Sequence, residues 1–153
     1  MLSGLQGFAY CLCLKEADLV IGAVLIPGGA APKLVKKEHL KLMKRGAVIV
    51  DIAIDQGGCC ETSRVTTHQN PVYTEDGVVH YCVGNMPGAV PFTSTIALTN
   101  STFGYARKIA NLGLETAAIR DNAILTGINV YRGKCTNKNV ADSTGVQYTD
   151  LSE

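Results

Sequence analysis

The chain has 153 residues, 46% hydrophobic and 18% charged, with a formal net charge of +1. That length and composition suit a globular domain with a real core and exclude a disordered chain. The near-neutral balance excludes electrostatic steering to nucleic acid or to an anionic membrane.

The first residues, MLSGLQGFAYCLCLKEADL, lack the basic start and small-residue cleavage site of a secretory signal. Residues 18–26, DLVIGAVLI, form a continuous aliphatic run that ends in Pro27-Gly28-Gly29. Such a run predicts a strand buried on both faces of a parallel sheet. The longest apolar stretch, Leu19 to Ala31, contains Pro27, Gly28 and Gly29 and is too short to span a bilayer. A Lys-rich segment follows, with Leu34, Val35, Leu40, Leu42 and Met43 at roughly helical spacing and Gly46 as its stop. Residues 47–55, AVIVDIAID, predict a second buried strand, ending in Asp55-Gln56-Gly57-Gly58. A less regular excursion carries turn signals at Asn70-Pro71 and Asp76-Gly77. Residues 78–83, VVHYCV, predict a third strand, which runs into Gly84-Asn85-Met86-Pro87-Gly88.

Strand, helix, strand, excursion, strand is the order of an α/β domain with a parallel sheet. Ligands of such sheets bind at the carboxyl ends of strands, so loops 24–29, 55–58 and 84–88 are expected side by side at one edge. After Pro91 the chain turns helical. Residues 93–112 predict a long helix with Thr93 or Ser94 near its N-cap, 114–126 a second helix, and the tail a short strand or turn and a short helix near 136–143.

Asp55 is the strongest chemical candidate, since a carboxylate at the end of an apolar strand would sit partly desolvated at a ligand site. The competing reading makes it a loop cap. Asp51, inside the apolar run, reads as a structural hydrogen-bonding group. Asn85 offers a donor and an acceptor to an amide, or serves as a turn residue. Met86 could pack on a ring or fill core. His68, in a polar loop, and His80, in a strand where alternation can turn it to the outer face, are candidate bases. The six cysteines, Cys11, Cys13, Cys59, Cys60, Cys82 and Cys135, contain no CxxC pair. His39, His68 and His80 add no metal-ligand spacing, so free thiols in a reducing, cytoplasmic compartment are expected. Cys59 and Cys60 show no evident basic partner. No GxGxxG occurs, so the usual pyrophosphate turn and its acidic ribose partner are not found.

The blocks ADLVIGAVLIPG, VIVDIAIDQGG, ETSRVTTHQNPVY, HYCVGNMPGAVPFTSTIALTN and GINVYRGKCTNKNVA resemble consecutive blocks of the alanine dehydrogenase and pyridine nucleotide transhydrogenase family. The likeness runs from Ala17 to Tyr148 and implies the C-terminal portion of a member. It implies an incomplete Rossmann-type parallel sheet, the back half, followed by C-terminal helices of a substrate domain. On that reading residues 1–16 are an atypical N-terminal segment. Residues 17–91 are the second half of the NAD domain, and 92–153 are the linking helix and part of the substrate domain. The implied reaction is oxidative deamination of L-alanine by NAD to pyruvate and ammonia, in a homo-oligomer, usually a hexamer.

By motif, the resemblance makes Asp55 the acid/base carboxylate. It sets Val24 and Leu25 against the cofactor, Ile52, Ala53, Ile54 and Asp55 near the nicotinamide ribose, and Val83, Gly84, Asn85 and Met86 at the nicotinamide face. The family's substrate-binding Arg and Lys and its catalytic His come from an N-terminal half not seen here. Val65 and Phe92 depart from the family pattern. Weak or no NAD binding and no turnover are therefore expected of the chain alone. The alternatives are a non-catalytic remnant or oligomerisation partner, or a fragment of a transhydrogenase alpha subunit.

Overall fold

The aliphatic runs flanking the Lys-rich segment pair side by side, as their β-branched content favours. In the computed structural model, which describes residues 4–151, β1 (Leu19–Gly22) runs parallel to β2 (Val48–Asp51), with Leu19 opposite Val48 and Gly22 opposite Asp51. Residues 1–3 of the N-terminal segment and 152–153 of the C-terminal one lie outside the described residues. Next in the chain come β3 (Val72–Glu75) and β4 (Val78–Tyr81). β4 pairs parallel with β2, β3 pairs antiparallel with β4, and the order is β1-β2-β4-β3.

The sheet is therefore α/β and mostly parallel, but mixed where a parallel sheet was expected. The cause is Asp76-Gly77, both left-handed (φ 49° and 82°). Two such residues make the tight turn whose twist matches an antiparallel hairpin. The excursion 59–77 thus ends in a strand that its irregular composition concealed.

Both long runs form shorter strands than expected. After Asp51 the chain leaves the ladder for a one-turn 3-10 helix, Ile52–Gln56, closed by Gly57 at φ 89°. Asp55 accordingly sits on a helical turn and not at a strand end. The Lys-rich segment also forms less helix than its spacing predicts: only α2 (Lys37–Leu40). Its first part is taken by the loop opposite. Leu34 and Val35 donate their amides to the Cys59 carbonyl (2.8 and 3.1 Å), and Glu61 donates to the Val35 carbonyl (2.8 Å).

One face of the sheet is covered. Leu14 of α1 (Gly4–Glu16) packs there with Val35, Leu40, Met43, Ile49, Cys60 and Val78, joined by Tyr10 one helical turn before Leu14. The other face carries Leu19, Ile21 and Val72, each more than half exposed (53%, 58% and 52%). The expectation that the first strand is buried on both faces fails at these residues: β1 is an edge strand with one face bare.

The chain divides into two compact units, Met1–Ile26 with Ala30–Met86, and Pro27–Gly29 with Pro87–Glu153. The second unit opens with α3 (Pro91–Leu112), which Pro91 starts at its first position. The expected caps, Thr93 and Ser94, lie inside the helix. The expected second helix is two, α4 (Leu114–Arg120) and α5 (Asn122–Thr126). They break at Asp121, whose side chain accepts from the Ala123 amide and caps the second piece. Ala117, Ala118 and Ile124 form a small core with Leu114 and Ile128. A hairpin, β5 (Val130–Tyr131) and β6 (Lys134–Cys135), leads to α6 (Lys138–Thr144), capped by Asn137. Among the described residues no helix is long and apolar enough to cross a membrane.

Candidate functional site

Asp51 and Asp55 lie four residues apart and have opposite surroundings. Asp51 is fully buried, and its Oδ2 accepts from the amides of Cys59 (2.9 Å) and Cys60 (3.1 Å) and from Ser63 Oγ (2.6 Å). This is the structural role read from its position. Asp55 is exposed. The partial desolvation expected of it is not provided by this chain's own atoms, because the helical turn lifts it clear of the strand. Its Oδ1 accepts from the Asn85 backbone amide at 3.3 Å, which ties the DQGG turn to the loop after β4.

An open concavity of about 330 Å³ adjoins Asp55, lined by Ala23, Val24, Leu25, Ile52, Ala53, Asp55 and Gln56. Leu25 and Ile52 leave 70% and 50% of their surface exposed, so apolar area stands ready for a flat partner. Gln56 Oε1 is buried without a hydrogen-bond partner.

Of the candidates for cofactor contact, Val24, Leu25, Ile52, Ala53 and Asp55 thus share one wall. Ile54 (3% exposed) and Val83 (fully buried) turn their side chains into the interior and present only backbone. Asn85 adopts φ 57°, a conformation its short polar side chain tolerates. Gly84 stands against Asp55: a Cβ there would lie 3.6 Å from Asp55 Oδ1 and 3.3 Å from Val65 Cγ1. Met86 is half-buried and begins the short 3-10 turn Met86–Ala89.

His68 Nε2 lies 3.1 Å from the Asn85 carbonyl, an approach across 17 residues that no spacing rule foretells. His80, by contrast, is fully buried and not on an outer face. Its Nδ1 meets the Val78 carbonyl (3.1 Å) and its Nε2 meets Thr62 Oγ1 (2.8 Å) and Cys60 Sγ (3.9 Å). Cys60 therefore does have a basic partner, brought to it by the sheet. Burial pushes the Cys60 thiol up, but hydrogen bonds from His80 and Thr62 outweigh it and the net shift is downward. Burial likewise pulls His80 down, and its bonds to Cys60 and the Val78 carbonyl outweigh that and raise it. Cys59 is pushed up to about 12 by burial and by the Asp51 carboxylate beside it. All six thiols are free, and among the described residues no cluster of His, Cys, Asp or Glu could hold a metal ion.

A mostly parallel α/β sheet with a carboxylate, a backbone amide and an apolar hollow at its carboxyl edge is the architecture of a dinucleotide-type fold. The family model "Alanine dehydrogenase/PNT, C-terminal domain" matches residues 6–138, and the chain belongs to that family. It is 56% identical over 141 residues to an alanine dehydrogenase of Staphylococcus epidermidis, covering 92% of this chain and 38% of that protein. An alanine dehydrogenase of Halomonas elongata is 53% identical over 139 residues, with 91% and 38% covered. Among solved structures, an L-alanine dehydrogenase superposes with a TM-score of 0.71 at 48% identity over 90% of this chain and 38% of its own. A transhydrogenase from Sinorhizobium meliloti gives 0.53 at 31% identity over 58% and 26%. The chain spans 38% of the length of these curated relatives.

Proposed function

We propose that this chain supplies the nicotinamide side of an alanine dehydrogenase site, with NAD as cofactor and L-alanine and pyruvate as substrates. The observation that carries the reading is Asp55, held on a helical turn by the Asn85 amide at the rim of an apolar hollow. The residues fit a nicotinamide ribose. Leu25 and Ile52 offer apolar cover, and the exposed Asp55 carboxylate offers an acceptor to a hydroxyl. NAD bound there would supply the hydride acceptor. Asp55 would take up and return a proton beside the reacting carbon, a role worth about 10²–10⁴-fold in rate. Asn85 orients the carboxylate through Oδ1, and the bare apolar wall excludes water once covered. The greater likeness to the L-alanine dehydrogenase structure than to the transhydrogenase favours this reading over a fragment of a transhydrogenase alpha subunit. A cytoplasmic homo-oligomer, the hexamer implied by the resemblance, is the assembly we assign to it.

A chimera tests this. Residues 17–148 of this chain replace the matching segment of the Staphylococcus epidermidis enzyme, and NADH formation from L-alanine is followed. Activity is expected, with Asp55→Asn lowering kcat by about 10²-fold or more. A folded chimera without activity, or one indifferent to Asp55→Asn, contradicts the proposal.

A further inference from the structure

Five consecutive carbonyls, from Gln56 to Cys60, accept hydrogen bonds from the short segment 31–35. Ala31 donates to Gln56 (2.9 Å), and Leu34 and Val35 donate to Cys59. The other three carbonyls converge on one group: Lys33 Nζ lies 2.5 Å from the Gly57 oxygen, 2.8 Å from Gly58 and 3.3 Å from Cys60. An ammonium has three donors in a tripod, and here one loop takes all three. The opposite side of the same loop is gripped by an anion, since Asp51 Oδ2 receives the Cys59 and Cys60 amides. The left-handed residues Gly57 and Gly58 turn the backbone so that carbonyls emerge on one side and amides on the other. A cation on the first side and a carboxylate on the second then hold a segment with no ladder of its own.

We infer that Lys33 is a positioning residue: by clasping the carbonyls of Gly57, Gly58 and Cys60 it sets the helical turn that presents Asp55 to the Asn85 amide. The role concerns the site under Proposed function and rests on that reading for its catalytic meaning, but the coupling itself is a property of this chain. Hydrogen bonds to a charged donor are the stronger kind, and three on one loop resist its twisting. The contact lies on an exposed side chain, so its loss removes a constraint and leaves the core filled.

The test is nuclear magnetic resonance of the purified chain. The Asn85 backbone amide should shift as the Asp55 carboxylate titrates, and that acid-side step should vanish in Asp55→Asn. His68, which touches the Asn85 carbonyl, gives a separate step that persists in Asp55→Asn. In Lys33→Met most of the Asp55 step at Asn85 should be lost while amides of β2 and β4 keep their shifts. Lys33→Arg, which keeps the charge and the donors, should restore it. Lys33→Gln replaces Lys33→Met if the latter does not fold, with the same expectation. A full step at Asn85 in the uncharged variants overturns the inference, and so does a wild-type amide without an Asp55 step. An inactive chimera in the experiment above defeats the functional reading and leaves this coupling standing.

Discussion

Asp51 and Asp55 share one apolar segment, and the positions four residues apart differ because the first lies in the ladder and the second on the turn that leaves it. Thiols differ in the same way. Cys59, pushed up to about 12 by burial and by Asp51, stays protonated at pH 8, whereas Cys13 is exposed. Mass spectrometry after brief iodoacetamide treatment should find Cys13 alkylated in the native protein and Cys59 only after unfolding. Rapid native labelling of Cys59 would count against the Asp51 network. His80 gives a pH signature. Its folded pKa is raised, so its contribution to stability is full below the ordinary histidine value of about 6.5 and fades as pH rises through the raised folded value. The destabilisation caused by His80→Asn should therefore be larger near about pH 5.5 than near about pH 8.5, read from urea unfolding. An equal cost at both pH values would contradict it. The structural role of Asp51 was legible because it depends on a local apolar pattern, whereas the strand end and desolvation read for Asp55 from the same pattern gave way to an exposed helical turn. The Cys60–His80 pair was not, because β4 delivers His80 to a loop 20 residues earlier in the chain.

At the scale of elements, the turn Ile52–Gln56 and the loop 57–63 stand where a strand end was expected. Gly58 shows how tightly it is built: at φ 78°, a Cβ would lie 2.8 Å from Asp51 Oδ2 and 2.9 Å from Ser63 Cβ. Gly58→Ala should cost about 1–3 kcal/mol through backbone strain and crowding. Urea denaturation with an unchanged midpoint would rule this out. Existence of the three parallel strands could be read from their aliphatic runs, but their ends could not. β1 and β2 stop at Gly22 and Asp51, where a buried carboxylate draws the chain into the loop, and no periodicity signals that. The Asp76-Gly77 pair was recognised as a turn, and its hairpin partner Val72–Glu75 was missed because Pro71 and polar neighbours mask the strand. The helix predicted across the Lys-rich segment failed for a tertiary reason: Leu34 and Val35 spend their amides on Cys59.

At the scale of the molecule, apolar surface remains uncovered in both units. Leu19, Ile21 and Val72 line the bare sheet face, and α3 exposes Phe92 (79%), Leu98 (66%) and Phe103 (59%). Exposed apolar side chains and an unpaired strand edge favour association. The purified chain should bind a hydrophobic dye and sediment with a mass that rises with concentration; a strict monomer without dye binding would show these faces to be innocuous. The composition already pointed to a core-forming chain, but which faces lack cover depends on sheet order, and sheet order is not written in any single segment. The relatives, of which this chain spans 38%, are 53–56% identical to it over the matched segments.

We propose that a nicotinamide sits on the wall formed by Val24, Leu25, Ile52 and Asp55, with the Asn85 amide on the Asp55 carboxylate. Titration of the isotopically labelled chain with NADH, up to millimolar concentration, tests it most directly. Amide shifts should concentrate at residues 24–25, 52–56 and 84–85 and weaken in Leu25→Asp. Binding stays weak, as expected of the chain alone; shifts confined to the second unit, or shifts that Leu25→Asp leaves unchanged, would contradict this.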